Sequence, residues 1–154
     1  VADTPNAIKD AWAARSSFLE AIDSQYELLD ECDVVVPITK IAEYVNFVNE
    51  EAKNYMFDVQ SFGHAGDGNL HIYTLSNEVD KHDEFVEEVD KFMDVIYKEA
   101  YALGGKISGE HGIGHGKLKY LKGFEGDLNT DLMKGIKKVF DPNQILNPDK
   151  VIGL

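Results

Sequence analysis

Five histidines, His64, His71, His82, His111 and His115, are the scarce chemical resource of this chain. Four of them fall in two glycine-rich segments. The first runs Phe62-Gly-His64-Ala-Gly-Asp67-Gly68-Asn-Leu-His71. Asp-Gly between two strand-like runs is a strong signal for a two-residue hairpin. If Asp67 and Gly68 are the two turn residues, 64 faces 71, and the two histidines form an opposed cross-strand pair with Cβ atoms about 4.5–5.5 Å apart. Two imidazoles so placed can hold one divalent metal at about 2.0–2.1 Å per Zn–N bond. A longer loop, built from both glycines and Asn69, weakens that register. The plain alternative is a glycine-rich turn with two unrelated surface histidines.

The second segment runs Gly104-Gly-Lys-Ile-Ser-Gly-Glu110-His111-Gly-Ile-Gly-His115-Gly-Lys117. In a strand, the neighbours Glu110 and His111 would point to opposite faces. If Glu110 completes a two-histidine, one-carboxylate set, His111 needs a bend to enter the same pocket, and Gly109 and Gly112 make a bend cheap. Such a set leaves coordination positions open for substrate or water. An imidazole beside it is a natural general base. Otherwise His111 is a hydrogen-bonded structural histidine. His82 and His115 are expected to be structural or exposed.

These residues must be positioned by regular elements. Thr4-Pro5 reads as an N-cap with Pro at the first helical position. Ile8, Trp12, Leu19, Ile22 and Leu29 then mark a helix over about 5–29, ended by the acidic stretch Asp30-Glu31-Cys32-Asp33. Val34–Ile38 suits a buried strand, with Pro37 at its end or on an edge. Ile41, Val45, Val48 and Ala52 follow a helical spacing. Met56–His64 and Leu70–Leu75 read as two strands. Phe85, Val89, Phe92, Ile96 and Leu103 place a helix over about 81–103, stopped at Gly104-Gly105. Lys106–Glu110 can form a fourth strand, and a last helix spans about 128–140, ended by Asp141-Pro142. The apolar helical stripes are read as core. The order from 34 to 110 is βαββαβ. The expected fold class is therefore α+β: a ferredoxin-like sandwich whose two crossover helices cover one face of a four-stranded antiparallel sheet, with flanking N- and C-terminal helices.

Composition narrows the partners. The 154 residues carry 15 basic and 28 acidic side chains, a net charge of −13. That balance argues against nucleic acid and against an anionic membrane surface. The length suits one domain that needs no disulfide staple. The single cysteine, Cys32, allows neither an internal disulfide nor a Cys-x-x-Cys zinc site. It fits a reducing compartment, so a cytoplasmic setting is expected, with membrane association through a partner as the alternative. No apolar run nears the ~20 residues of a bilayer span. The start, Val1-Ala-Asp-Thr-Pro5, has neither the features of a signal peptide nor an initiator Met, and reads as a mature product or an excised piece. Two motifs fail. The run ending Gly116-Lys117 has His111 where a P-loop needs its first glycine, and Leu118 where it needs Ser or Thr. No strand leads through Gly-x-Gly-x-x-Gly into a helix, so a Rossmann dinucleotide site is not indicated. The acidic residues between Glu78 and Asp94 read as the solvated face of a helix.

Three stretches occur in one order: Phe-Gly-His64-Ala-Gly-Asp-Gly-Asn-Leu-His71, then Gly-Gly-Lys-Ile-Ser-Gly-Glu110-His111-Gly-Ile-Gly, then Lys138-Val-Phe-Asp-Pro142-Asn-Gln-Ile-Leu-Asn147-Pro-Asp-Lys. Over about residues 33–153 the chain resembles the C-terminal domain of FAD-linked oxidases of the vanillyl-alcohol oxidase superfamily. The branch is that of D-lactate dehydrogenase, the glycolate oxidase FAD subunit and D-2-hydroxyglutarate dehydrogenase. The resemblance implies one such domain over 1–154, in which the helix at about 5–29 and the core at 34–110 are followed by a Gly-rich and helical part at 111–154. It implies His64, His71 and Glu110 as ligands of a divalent metal, zinc or Mn, Fe or Co. It implies His111 as catalytic base, Asn147 as a residue close to the flavin, and Arg15 as the group that binds a substrate carboxylate.

The implied reaction is oxidation of a 2-hydroxy acid to a 2-oxo acid. The metal lowers the hydroxyl's pKa, His111 takes its proton, and hydride passes from C2 to FAD. Implied partners are an upstream FAD-binding domain, which these residues lack, and an electron-transfer flavoprotein, iron–sulfur subunit or quinone as acceptor. Alone, the fragment is expected to be inactive. Two other readings stand beside this one: a stand-alone metal or small-acid binding module without catalysis, and a structural domain whose histidines are incidental.

Overall fold

The computed structural model describes residues 1–152. The chain is α+β. Helices α1 (Pro5–Ser16) and α2 (Phe18–Asp23) precede strand β1 (Leu28–Val35). Helix α3 (Ile41–Ala52) leads to the hairpin of β2 (Asp58–His64) and β3 (Asn69–Ser76). The long helices α4 (His82–Ala102) and α5 (Leu118–Phe140) complete it. The last two residues of the expected C-terminal part, 153–154, lie outside the described residues. No helix of the described residues is long and apolar enough to cross a membrane.

The sheet is antiparallel with strand order β1-β3-β2. The expected fourth strand, 106–110, is reduced to one bridge between Lys106 and Val35 on the outer side of β1. Beyond that bridge the backbone turns away to follow Asp33, as described below. The sheet therefore has three strands rather than the expected four, and the order is βαββα followed by an isolated bridge where the last strand was expected.

Strand alternation divides the sheet into two faces. Leu28, Cys32 and Val34 of β1, with Leu70 and Ile72 of β3, pack against Tyr44 and Val48 of α3 and Phe85, Val89, Phe92 and Ile96 of α4 to form the main core. The opposite face carries Leu29, Tyr73, Leu75 and Phe62, covered by Ile22 of α2 and Tyr26. Between those apolar residues and the Gly-rich loop, this second face bears the histidines.

Four boundaries differ from the sequence expectation. The helix expected over 5–29 is two short helices broken at Ser17, whose N–H turns back to the carbonyls of Ala13 and Ala14. Leu29 belongs to β1. The acidic stretch 30–33 does not end a helix but lies inside that strand, which ends at Val35 rather than Ile38. The helical stripe of Ile8, Trp12 and Leu19 is exposed in this chain, at 45%, 63% and 46%, so only Ile22 of that series is core. The last helix starts at Leu118 rather than 128 and is kinked at Gly126, which sits at φ 77°.

The hairpin register also differs. His64 pairs with Asn69 and Phe62 with His71, so the loop has four residues, 65–68. The amides of Asp67 and Gly68 both donate to the His64 carbonyl, and the Asp67 side chain accepts from the Asn69 N–H at 3.2 Å. A one-residue slip would have turned one histidine to the other face. The slip here is two in the sum of partners, so His64 and His71 stay on one face as diagonal neighbours, ring centroids 5.8 Å apart.

Gly68 makes this loop possible. Its φ is +84°, its carbonyl accepts from the Val36 N–H, and a Cβ there would lie 2.0 Å from the Val36 carbonyl oxygen. The backbone conformation alone costs a non-glycine residue about 1–3 kcal/mol. Gly68→Ala is expected to lose at least that in urea unfolding. A loss below about 0.5 kcal/mol would show that the loop has another accessible form.

Candidate metal and substrate site

The site is built on the sheet face away from the main core. His71, in β3, is nearly buried, with 9% of its side chain exposed, while His64 at the end of β2 is 42% exposed. Glu110 reaches both: its Oε1 lies 2.9 Å from His71 Nε2 and 3.5 Å from His64 Nε2. The ligating atoms of the three residues all fall within 4.8 Å of one another. Two donors about 2.0–2.1 Å from one ion stand roughly 2.9–3.4 Å apart at right-angle to tetrahedral geometry. The Glu110–His71 separation of 2.9 Å lies in that range and the Glu110–His64 separation of 3.5 Å just above it. Arg15, from α1, brings its Nη2 to 3.4 Å from His64 Nε2.

The sequence reading missed Glu31. Its Oε1 lies 2.9 Å from His71 Nδ1 and 3.5 Å from His111 Nδ1. His71 therefore has a carboxylate oxygen 2.9 Å from each ring nitrogen. A neutral imidazole carries one N–H and can satisfy only one of them. A cation shared by His71 Nε2, His64 and Glu110 would satisfy the other, so the donor set fits a divalent metal. The signal for Glu31 was available: three acids within a run flanked by Leu28-Leu29 and Val34-Val35-Val36 is anomalous for a strand, and alternation puts Glu31 on one face with Asp33.

Asp33 explains how neighbouring Glu110 and His111 come to serve one site. Its side chain is fully buried. Oδ2 accepts from three successive backbone amides, those of Gly109 at 2.7 Å, Glu110 at 2.7 Å and His111 at 3.0 Å. Ser108 Oγ donates to the same carboxylate and in turn accepts from the Gly112 N–H. The Lys117 ammonium pairs with Oδ1 and donates to the Asp33 carbonyl at 2.8 Å. Curled around one anion, residues 108–112 form a nest rather than a strand. The bend expected from Gly109 and Gly112 is present, and it sends Glu110 to the two histidines and His111 to Glu31. Burial alone would raise the Asp33 pKa, but the Lys117 hydrogen bond and the amides of His111 and Glu110 hold it well below the ordinary carboxylate range.

A cavity of about 340 Å³ opens beside His111, between α4 and the Gly-rich loop, walled by Glu31, Met93, Tyr97, Lys117 and Tyr120 among others. His115 borders it and is exposed, as is His82 on α4. Cys32 is buried in the main core, where desolvation pushes its thiol up to about 12, so it offers no thiolate. Asn147 is exposed in a left-handed conformation (φ 47°), and no side-chain hydrogen bond joins it to the histidine cluster among the described residues. Its segment is tied to the Gly-rich loop through Val151 N–H donating to the Gly114 carbonyl at 2.7 Å.

Residues 1–151 match the family described as FAD linked oxidases, C-terminal domain. The chain is 56% identical over 151 residues to D-lactate dehydrogenase of Anaerostipes hadrus, covering 98% of this chain and 32% of that protein. It is 42% identical over 119 residues to glycolate oxidase subunit GlcD of Bacillus subtilis, covering 77% of this chain and 25% of that subunit. It is 30% identical over 146 residues to D-2-hydroxyglutarate dehydrogenase of Stutzerimonas stutzeri, covering 94% of this chain and 31% of that enzyme. The chain thus spans about a quarter to a third of the length of these relatives. With a family match across nearly its whole length, the chain belongs to the FAD-linked oxidase C-terminal domain family.

Proposed function

We propose that this chain is the substrate- and metal-binding part of an FAD-dependent D-2-hydroxyacid dehydrogenase of lactate or glycolate type, working in the cytoplasm. The observation that carries this reading is the convergence of His64, His71 and Glu110, with Arg15 and His111 at its rim, in a chain of this family. The relatives' names support the class of substrate.

His64, His71 and Glu110 would hold a divalent cation, whose Lewis acidity would act on the hydroxyl of the acid, while FAD would supply the hydride acceptor. Arg15 binds the substrate carboxylate through its planar fork of donors. His111 takes the hydroxyl proton. Glu110 and His64 are about half exposed, so the site is open on one side and suited to closure by a flavin-binding domain. A row of exposed apolar residues along α5, Leu128, Leu132, Ile136 and Val139, supports a further domain packing there. Asn147, on the exposed C-terminal segment, would face the flavin across that boundary. An electron-transfer flavoprotein or iron–sulfur subunit would receive the electrons.

Elemental analysis of the purified chain beside a His64→Ala/His71→Ala double variant tests the metal. About one zinc, manganese, iron or cobalt per chain is expected in the parent and none in the variant. A parent free of metal even after refolding with excess zinc or manganese would sink the ligand assignment for this chain. Metal bound without turnover, once a flavin-binding domain is joined to it, would leave a non-catalytic binding module.

A further inference from the structure

Glu31 occupies the only position from which one carboxylate oxygen meets both a metal-ligand candidate and the candidate base among the described residues. Its Oε1 is 2.9 Å from His71 Nδ1 and 3.5 Å from His111 Nδ1, and the two rings lie 4.9 Å apart between centroids. Its place is set by the sheet: Glu31 pairs with Tyr73 and Asp33 with His71, so Glu31, His71 and Tyr73 share a face. The side chain is only 25% exposed, and His71 is 9% exposed. The Glu31–His71 contact is therefore shielded from the solvent that weakens surface ion pairs, while His111 is 47% exposed.

We propose that Glu31 is a positioning residue that sets the tautomers of both His71 and His111. This rests on the function proposed above for what the tautomers are for, but not for the contacts themselves. An ionised carboxylate can only accept hydrogen bonds. Accepting from His71 Nδ1 at 2.9 Å and facing His111 Nδ1 at 3.5 Å, it selects the Nδ1–H form of His71 and favours the same form of His111. In His71 that leaves the Nε2 lone pair directed at the Glu110 and His64 cluster, the state a metal ligand needs. In His111 it leaves the Nε2 lone pair free, the state a base needs. One oxygen thus prepares a ligand and a base that lie on separate segments, β3 and the Gly-rich loop. A carboxylate behind a ligating histidine fixes ring orientation and raises ligand basicity, and its loss commonly weakens metal binding by about 10–100-fold.

Two measurements on the full chain test this, using Glu31→Gln, which keeps the shape, and Glu31→Ala. The first is long-range ¹⁵N–¹H correlation spectroscopy of the ring nitrogens, without metal, at about pH 8, with every chain also carrying Glu110→Ala so that no carboxylate opposes Glu31 at His71 Nε2. The parent is expected to show His71 and His111 as Nδ1–H forms. Gln can either donate or accept, so Glu31→Gln should give mixtures, and Glu31→Ala should lose the preference altogether. The second is competition of zinc between the chain and a chelator, where Glu31→Gln should bind about tenfold more weakly and Glu31→Ala up to about 100-fold. Unchanged tautomers in a folded Glu31→Gln variant would overturn the proposal, whatever the zinc result. Changed tautomers with a parent that binds no zinc would uphold Glu31 as the residue that sets them and sink the metal reading instead.

Discussion

Asp33→Asn is expected to remove about 3–5 kcal/mol from the unfolding free energy, because it strips one partner from a buried ion pair and leaves the other charge in place. The Asp33 side chain is fully buried and that of Lys117 is 12% exposed, so water cannot take over the pairing. Asparagine also turns half of an all-acceptor group into a donor, facing amides that donate. A single domain has roughly 5–15 kcal/mol in total, so this one atom exchange would consume a large share. Urea unfolding of parent and variant gives the difference. A loss under about 1 kcal/mol would mean that the nest at 108–112 is held by something else.

The pH dependence follows from the same contacts. The folded Asp33 pKa lies below its ordinary value of 3.8, since the Lys117 hydrogen bond and the amides of His111 and Glu110 outweigh burial. A lowered folded pKa contributes stability that is fully present above the unfolded value and is lost as pH falls through the folded one. The gap between parent and Asp33→Asn should therefore be constant from neutral pH down to about 4 and close only in stronger acid. Pairing Asp33→Asn with Lys117→Met separates the ion pair from the nest. The double variant should be less destabilised than the sum of the singles, since no unpaired charge remains.

Asp33 and Glu31 also mark where the sequence stopped being legible. Periodicity located α3, α4, β2 and β3 to within a few residues, because there the apolar positions point to one core and agree with the helical or strand period. It failed at 28–35, where a strand uses alternate positions to carry acids. Asp30, Glu31 and Asp33 look like a helix terminator until their partners are known, and those of Glu31 and Asp33 lie 40 to 84 positions further on. The same remoteness hid the contraction of the fourth strand. Lys106–Glu110 has strand-like composition, but a buried carboxylate drew its amides out of the ladder. At the hairpin, the Asp-Gly signal gave the right face and the wrong register, since Asp67 caps the Asn69 amide and Gly68 takes the left-handed position of a four-residue loop. The exposed stripe of α1 is a different case: Ile8 and Trp12 have the spacing of a buried face but stay exposed among the described residues. Local rules broke where residues were committed to the candidate site or to surfaces left exposed among the described residues.

His111→Gln should have the largest effect on turnover. With the chain joined to a flavin-binding domain, kcat is expected to fall by about 10²–10⁴, the usual contribution of a positioned general base. That equals roughly 3–5 kcal/mol of barrier. The geometry says why the loss should leave metal content unchanged. His111 and Glu110 share the nest around Asp33 Oδ2 through their backbone amides, and the substitution leaves those amides in place. Their side chains then part, Glu110 toward His64 and His71, His111 toward Glu31. Removing the His111 imidazole therefore takes away the proposed proton acceptor and leaves the proposed ligand trio intact. Glu110→Gln should behave in the opposite order, losing metal first and activity as a consequence. Elemental analysis and kcat measured on the same preparations distinguish the two. A fall in kcat of less than tenfold in His111→Gln, with metal retained, would end its assignment as the base. The proton would then have to be taken by another group at the rim of the cluster, and Glu31, already within reach of both rings, would be the residue to test next.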